Sequence, residues 1–536
     1  MPAPHSRRRT VLRWVAAGAL AAVAALVGAA MAFLPSNHDI RQRVERTLSE
    51  RLDADVTLAE LHVSLFPRPK VEGTGLKVVQ RGRGNVPPLL LVSSFSARGS
   101  WRHVFLRPRR VAEVRLRGMR ITIAPKEGGS GVREKEHGGC QGERREFPSA
   151  ETRAGTASPV LIEWLSAPGT ELELLPRKPG KRPRRFSIAS LVVRGITLDH
   201  PLDFDAVLTN PTPRGQITTS GRFGPWVAGD PGLSPVEGRY HFERADMGSI
   251  KGLGGTLESR GRFAGVLEQI SVAGSTETPD FSLDTANARL PLHTDFKACV
   301  DGTDGDTYLD DVRARLASTP IHVKGKVEGR VGVDGRTVAL DAVIQDGLIE
   351  DVLRLAVKGD EPVMNGRVSV TTRILLPPGN ASVVERLQLQ GKFGLEDARF
   401  SGPGVQSKID EFSRRGRAGA KGAAADNVAS DFAGRFTLGG GMLALQDLAY
   451  TVPGARVRLR GTYNLVNEQI AMTGTVRLDA KASEMTTGFK STLLKAADLL
   501  LSRKDAGTVL PITISGTRSH PKFGVDYKGV LTRKVK

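Results

Sequence analysis

The sequence is poor in cysteine, in aromatic residues and in every local motif that carries chemistry. Two cysteines, Cys140 and Cys299, occur in 536 residues, which excludes a disulfide framework. A single bridge between them stays open for an exported chain, although they lie far apart and Cys140 falls in a stretch with little to bury. Four Trp and five Tyr are too few to furnish the aromatic platforms of a polysaccharide-handling enzyme. The ten His are scattered, none at ligand spacing from another His or Cys, which argues against zinc. No Gly-x-Ser-x-Gly elbow, P-loop or dinucleotide fingerprint is present. Asp301, Asp304 and Asp306 in DGTDGDTYLDD invite a calcium reading, yet the closing Glu of an EF-hand is missing. A glycine-rich turn between strands is the plainer reading. No catalytic, cofactor or metal residue is assigned, and the expectation is a protein that is not an enzyme.

Acidic residues are also in deficit: 77 Lys plus Arg against 57 Asp plus Glu give a formal charge of +20. Nucleic acid is the first partner such basicity suggests. The cations are spread along the whole chain, however, aromatics are 5%, and an export signal removes the chain from DNA. A solvated arginine-rich face, or one turned to anionic lipid headgroups, fits better.

What the sequence does have begins with a run of twenty residues without a charge, Val15 to Leu34, directly after Arg7, Arg8, Arg9 and Arg13. A helix needs about 20 apolar residues to cross the hydrocarbon core, and basic residues stay on the cytoplasmic side. The run therefore reads as an uncleaved anchor, with Val15, Leu20, Val23, Leu26, Val27, Phe33 and Leu34 in the membrane. A cleaved signal peptide ending near Ala30-Met31-Ala32 is the alternative, although its apolar core is usually about 7–15 residues. Both export the chain.

Beyond the anchor, Ser36 to Asp53 reads as a short amphipathic helix, with Ser36 as cap and Ile40, Val44, Leu48 and Leu52 repeating every four residues. Strand patterning follows. Leu61, Val63 and Leu65 alternate with polar residues before Phe66-Pro67. Between Val111 and Ile123, Val114 and Leu116 share one face, and parity flips after Gly118 to Met119, Ile121 and Ile123. An extra residue at a glycine predicts a bulge or tight bend. The clearest strand is IHVKGKVEGRV at 321–331, with Ile321, Val323, Val327 and Val331 on one side and Lys324, Lys326, Glu328 and Arg330 on the other. Val457 and Leu459, then Val476 and Leu478, alternate with charges in the same way.

Residues 1–35 form the basic tip and anchor, 36–125 a helix and first strands, and 126–158 a low-complexity linker. A central β-rich region covers 159–403, a flexible loop 404–430 and a last β region 431–536. Within the last, about 483–501 is an amphipathic helix on which Met485, Phe489, Leu493, Ala497 and Leu500 make one stripe. Short strands through Gly-x-Phe or Gly-x-Tyr, at 221–223, 238–240, 261–263, 391–393, 434–436 and 461–463, recur at irregular spacing. They predict one sheet extended by similar hairpins rather than a strict solenoid.

Three stretches carry a family resemblance: DADVTLAELHVSLFPRPKVEGTGLKV at 53–78 after the anchor and helix, GSTETPDFSLD with FKACVDGTDGDTYL at 274–309, and the tail at 432–465 with LPITISGTRSHPKFGVD at 510–526. The chain resembles the AsmA-like family, relatives of TamB and of bridge-like lipid transfer proteins. That likeness implies a mainly β fold: a long curved, elongated antiparallel sheet shaped like a gutter, anchored in a bacterial inner membrane by one pass, with the N-terminus cytoplasmic and the bulk in the periplasm. Its apolar concave face is expected to bind or transport phospholipid and support outer-membrane homeostasis, with Ile321, Val323, Val327, Val331, Val457, Leu459, Val476 and Leu478 as lining. The alternative function is an assembly factor for outer-membrane or envelope proteins that acts by strand addition.

Overall fold

The structure, a computed structural model, describes residues 37–478 and 509–525 apart from 53, 65, 82–86, 100–108, 125–139, 141–159, 176–182, 197–199, 226, 228–230, 287, 331, 334, 358, 360, 404–405, 408, 411–412, 414–427 and 519. The expected anchor residues Val15, Leu20, Val23, Leu26, Val27, Phe33 and Leu34 lie outside these, as does the helix expected at 483–501. Among the described residues, no helix is long and apolar enough to cross a membrane.

Alternation of apolar and polar residues builds strands almost without interruption, and they join in one sheet of 26. Helix α1 (Asn37–Leu52), which the four-residue spacing predicted, precedes β1 (Ala54–Thr57) and β2 (Glu60–Ser64), end to end against β3 (Lys70–Gln80). β4 (Leu90–Arg98) and β5 (Arg109–Ile123) follow. β6 (Val160–Ser166) and β7 (Thr170–Leu174) share the place between β5 and β8 (Arg184–Ile196). Then come β9 (Leu202–Pro211), β10 (Arg214–Phe223), β11 (Pro235–Asp246), the short β12 (Leu253–Gly254), β13 (Thr256–Val266) and β14 (Gln269–Leu283). β15 (Leu290–Val300), β16 (Thr307–Leu316), β17 (Thr319–Gly329) and β18 (Arg336–Leu348) continue the ladder. Helix α2 (Ile349–Ala356) stands before β19 (Met364–Leu376), and the single turn α3 (Val383–Arg386) before β20 (Gln388–Phe400). β21 (Ser430–Gly439), β22 (Met442–Val452), β23 (Ala455–Asn464), β24 (Gln469–Leu478), β25 (Val509–Thr517) and β26 (Pro521–Val525) complete it.

The sheet is mixed, which corrects the expectation of a wholly antiparallel one. β5 pairs in parallel with β6 and β7. The cause is the connection between Ile123 and Val160: a long crossover returns the chain to the end where β5 began, whereas a tight hairpin would have reversed it. From β8 onward every described pairing is antiparallel, including that of the short β12 with the end of β14.

Parity flips at Gly118 as the sequence predicts, but by another device. Gly118 takes φ +61°, while β4 and β5 pair Val92 with Met119 and Ser94 with Arg117, so equal numbers of residues are spanned on both strands. The left-handed residue turns the side chains over instead of an inserted one. A Cβ on Gly118 would meet Ser93 Cβ at 2.9 Å. Val92, Val114, Leu116 and Met119 stay in one buried cluster as a result.

Candidate binding face

Successive strands bring alternate residues into rows that cross the sheet, and one face of those rows carries no charge. Val323 faces Val312 on one side and Ala342 on the other. The row runs back through Phe296, Gly274, Gly261 and Tyr240 to Thr219, and forward through Thr372, Gly391, Phe436, Leu445, Gly461 and Met472 to Ile514. The next row toward the β17–β18 turn joins Phe263, Val272, Ala298, Leu309, Gly325, Leu340, Ile374, Leu389, Leu438, Leu443, Tyr463 and Ile470. On the other side, Phe242, Ser259, Thr276, Thr294, Ala314, Ile321, Ile344, Val370 and Phe393 make a third. In a chain with 25% charged residues, none falls in these three rows. Most of the large side chains in them are half-buried rather than sealed, Val323, Phe296, Phe263 and Leu340 among them.

Ile321, Val323, Val327 and Leu459 share this face and are partly accessible. Val457 and Val476 share it too but are 5% and 4% exposed, in a closed cluster with Val428, Val452 and Ala455 against which Ile409 packs. They are core, because Ile409 and Val428 pack over that end of β23 and β24. Gln406 donates to the Val428 carbonyl, and the Val428 amide donates to Asp410 Oδ1. Leu478 lies on β24 opposite Ala455, and Val331 is outside the described residues.

The opposite face is charged, and its cations mostly stand beside carboxylates. Arg194 meets Asp205 at 2.6 Å, Arg373 meets Asp341 at 3.5 Å, and Arg222 pairs with Glu237. His293 reaches Asp295 at 3.1 Å and Glu277 at 2.5 Å. Hydrogen bonds to Asp295 and then Glu277 hold its imidazolium above the ordinary histidine range. Contact with His241, then Arg260, holds Glu258 below the usual carboxylate range. An open concavity of about 790 Å³ borders Arg239, His241, Arg260, Arg262 and Ser275.

Elements at the sheet's margins cover parts of the apolar face and join its two lips. The α2 lip carries the connections after β11, β14, β16 and β18; the α3 lip carries the turns after β10, β13, β15, β17 and β19. Buried Asp351 fixes α2 by accepting from Thr319 Oγ1 (2.9 Å) and the Ser318 amide (3.0 Å). Leu355 then packs on Leu290 and Leu316. From the α3 lip, the Val383 amide donates to the Lys251 carbonyl of the other lip at 2.9 Å, and Ser382 Oγ donates to Asp284 Oδ2 at 2.7 Å. Flat, those lips stand a whole strand length and about six strands apart, so the sheet must roll for them to meet. A second approach brings Arg518, in the β25–β26 turn, to Gly359, after α2.

The acidic turn is occupied by its own backbone. Asp301 accepts from the Thr303 amide at 2.9 Å, Asp306 accepts from the Gly329 amide at 2.9 Å, and Arg336 braces the loop through the Asp304 carbonyl at 2.6 Å. No group of three or more His, Cys, Asp or Glu among the described residues is placed to hold a metal ion. Cys140 is bonded to Cys299 across 159 residues, a pairing that no local pattern in the sequence marks.

Family models, curated proteins and solved structures provide no match to this chain.

Proposed function

We propose that the chain binds phospholipid by its acyl chains along the uncharged face and moves or shields it, without catalysis, as an inner-membrane-anchored periplasmic protein of the AsmA-like kind that supports the outer membrane. The observation that carries this reading is the set of three uncharged rows, continuous across most of the sheet and left half-open. Such a face needs cover, and acyl chains supply it at about 0.8 kcal/mol per buried CH₂ with no polar site required.

The lip contacts support a gutter-like shape suited to that cargo. With lips meeting about five to seven strands on, and strands about 13 residues wide, the sheet's circumference is roughly 49–54 Å and its backbone diameter about 16–17 Å. That resembles an eight-stranded barrel, whose interior side chains fill or which holds one small ligand. The unsealed side chains of this face favour the second outcome.

A second reading, strand addition to an envelope protein, draws on β26, which among the described residues pairs only with β25. Native mass spectrometry with lipid extraction on the full chain separates the two. The lipid reading expects co-purified phospholipid that is lost in Val323→Asp and kept in the charged-face control Lys324→Asp. Folded, lipid-free wild-type protein would reject it in favour of strand addition.

A further inference from the structure

Like charges face each other elsewhere on the outer face, Arg239 opposite Arg262 and Lys392 opposite Arg435, but β23 and β24 gather four cations with no carboxylate among them. Arg456, Arg458 and Arg460 project from it at every second residue of β23, and Arg477 of β24 stands directly opposite Arg456. All four are exposed, and none has an ion pair or hydrogen bond with another described residue. Thr475 and Thr473 face Arg458 and Arg460, and no carboxylate occupies this face of β23 to β26. Like charges directly opposite in a sheet are unfavourable. Arg194, Arg222 and Arg373 avoid that cost with acidic partners.

Apolar tips adjoin the ladder. Met442, opposite Asn464 on the same face, is 40% exposed, and Val466 in the β23–β24 turn is 68% exposed. The two hairpins touch: a Cβ on Gly441 would lie 3.2 Å from Val466 Cγ2.

From this we infer that the outer face of β23–β24 docks on a bilayer with anionic headgroups, Met442 and Val466 entering the headgroup zone while the arginines bind phosphates. Guanidinium groups recur about 7 Å apart along the strand, a spacing that serves an array of phosphates. The face lacks the aromatic or apolar centre that a protein partner would need. Basic residues beside protruding apolar ones are what a peripheral membrane site combines. The inference stands apart from whatever the inner face carries.

The test immobilises the full chain by an N-terminal tag in phosphatidylcholine nanodiscs free of detergent and measures capture of vesicles, phosphatidylcholine alone against phosphatidylcholine with about 30% phosphatidylglycerol. Anionic vesicles should be captured selectively, with capture falling as salt rises. Each arginine should contribute roughly fivefold, so R456Q/R458Q/R460Q/R477Q should lose more than about a hundredfold while keeping its unfolding midpoint. M442S/V466S should lose several-fold, a loss that persists at high salt. Equal capture of both vesicle types, or undiminished capture by the arginine variant or by M442S/V466S, overturns the inference. So does binding of soluble polyphosphate without capture of anionic vesicles, which would make the partner a free polyanion.

Discussion

At the scale of single residues, exposure separates two kinds of apolar position that look identical in sequence. Val323 and Val457 both alternate with charges, yet Val323 is partly open and Val457 is 5% exposed. Val457→Ala should cost on the order of 2 kcal/mol of stability, read by chemical denaturation, whereas Val323→Ala should cost well under half of that. Equal costs would mean that Val323 is core as well. His293 supplies a pH dependence. Its folded-state affinity for a proton is raised by Asp295 and Glu277. The stability from that site is therefore fully present below the unfolded value of about 6.5 and is lost as pH rises through the raised folded value. The thermal midpoint should fall between pH 6 and pH 8.5 by an amount that shrinks in His293→Gln; an unchanged difference would place the effect elsewhere. Which residues face which way was legible from parity alone. Which of them are covered was not, because cover comes from distant segments such as Ile409 and Val428 that no local pattern links to Val457.

At the scale of elements, the α3 connection and the disulfide are long-range fasteners. Ser382 and Asp284 join opposite lips by one charge-assisted hydrogen bond, worth roughly 1.5–3 kcal/mol. Ser382→Ala with Asp284→Ala should lengthen the distance between spin labels at positions 251 and 385, both exposed. A distance that does not change would show that the lips are held by other contacts. Cys140–Cys299 leaves no free thiol among the described residues, so denatured protein from an oxidising compartment should take up alkylating agent only after reduction. Uptake without reduction would refute the bond. Strand existence and the first helix were readable from periodicity; the parallel β5–β6 junction was not, because direction depends on where a long crossover lands and not on the strand's own residues.

At the scale of the molecule, β1 with β2 and β6 with β7 share places and β12 stands aside, so 26 strands occupy 23 places across the ladder. At about 4.8 Å each that is roughly 110 Å along the sheet, and rolling shortens it further. The first edge is closed, since α1 lays Leu48 on Ala54, Val56 and Val78 and Glu45 accepts from the Leu58 amide at 2.8 Å. The uncharged face was foreseeable in outline from Val323 and Leu459, but its continuity rests on register, which a one-residue slip would have destroyed.

Because the lips meet by a fixed offset in strands, bore and length are governed separately. Strand length sets how wide the rolled sheet closes; the number of hairpins sets how far it extends. An added hairpin would lengthen the molecule by a constant step while leaving its interior the same width, so a chain of this design is extensible by simple duplication.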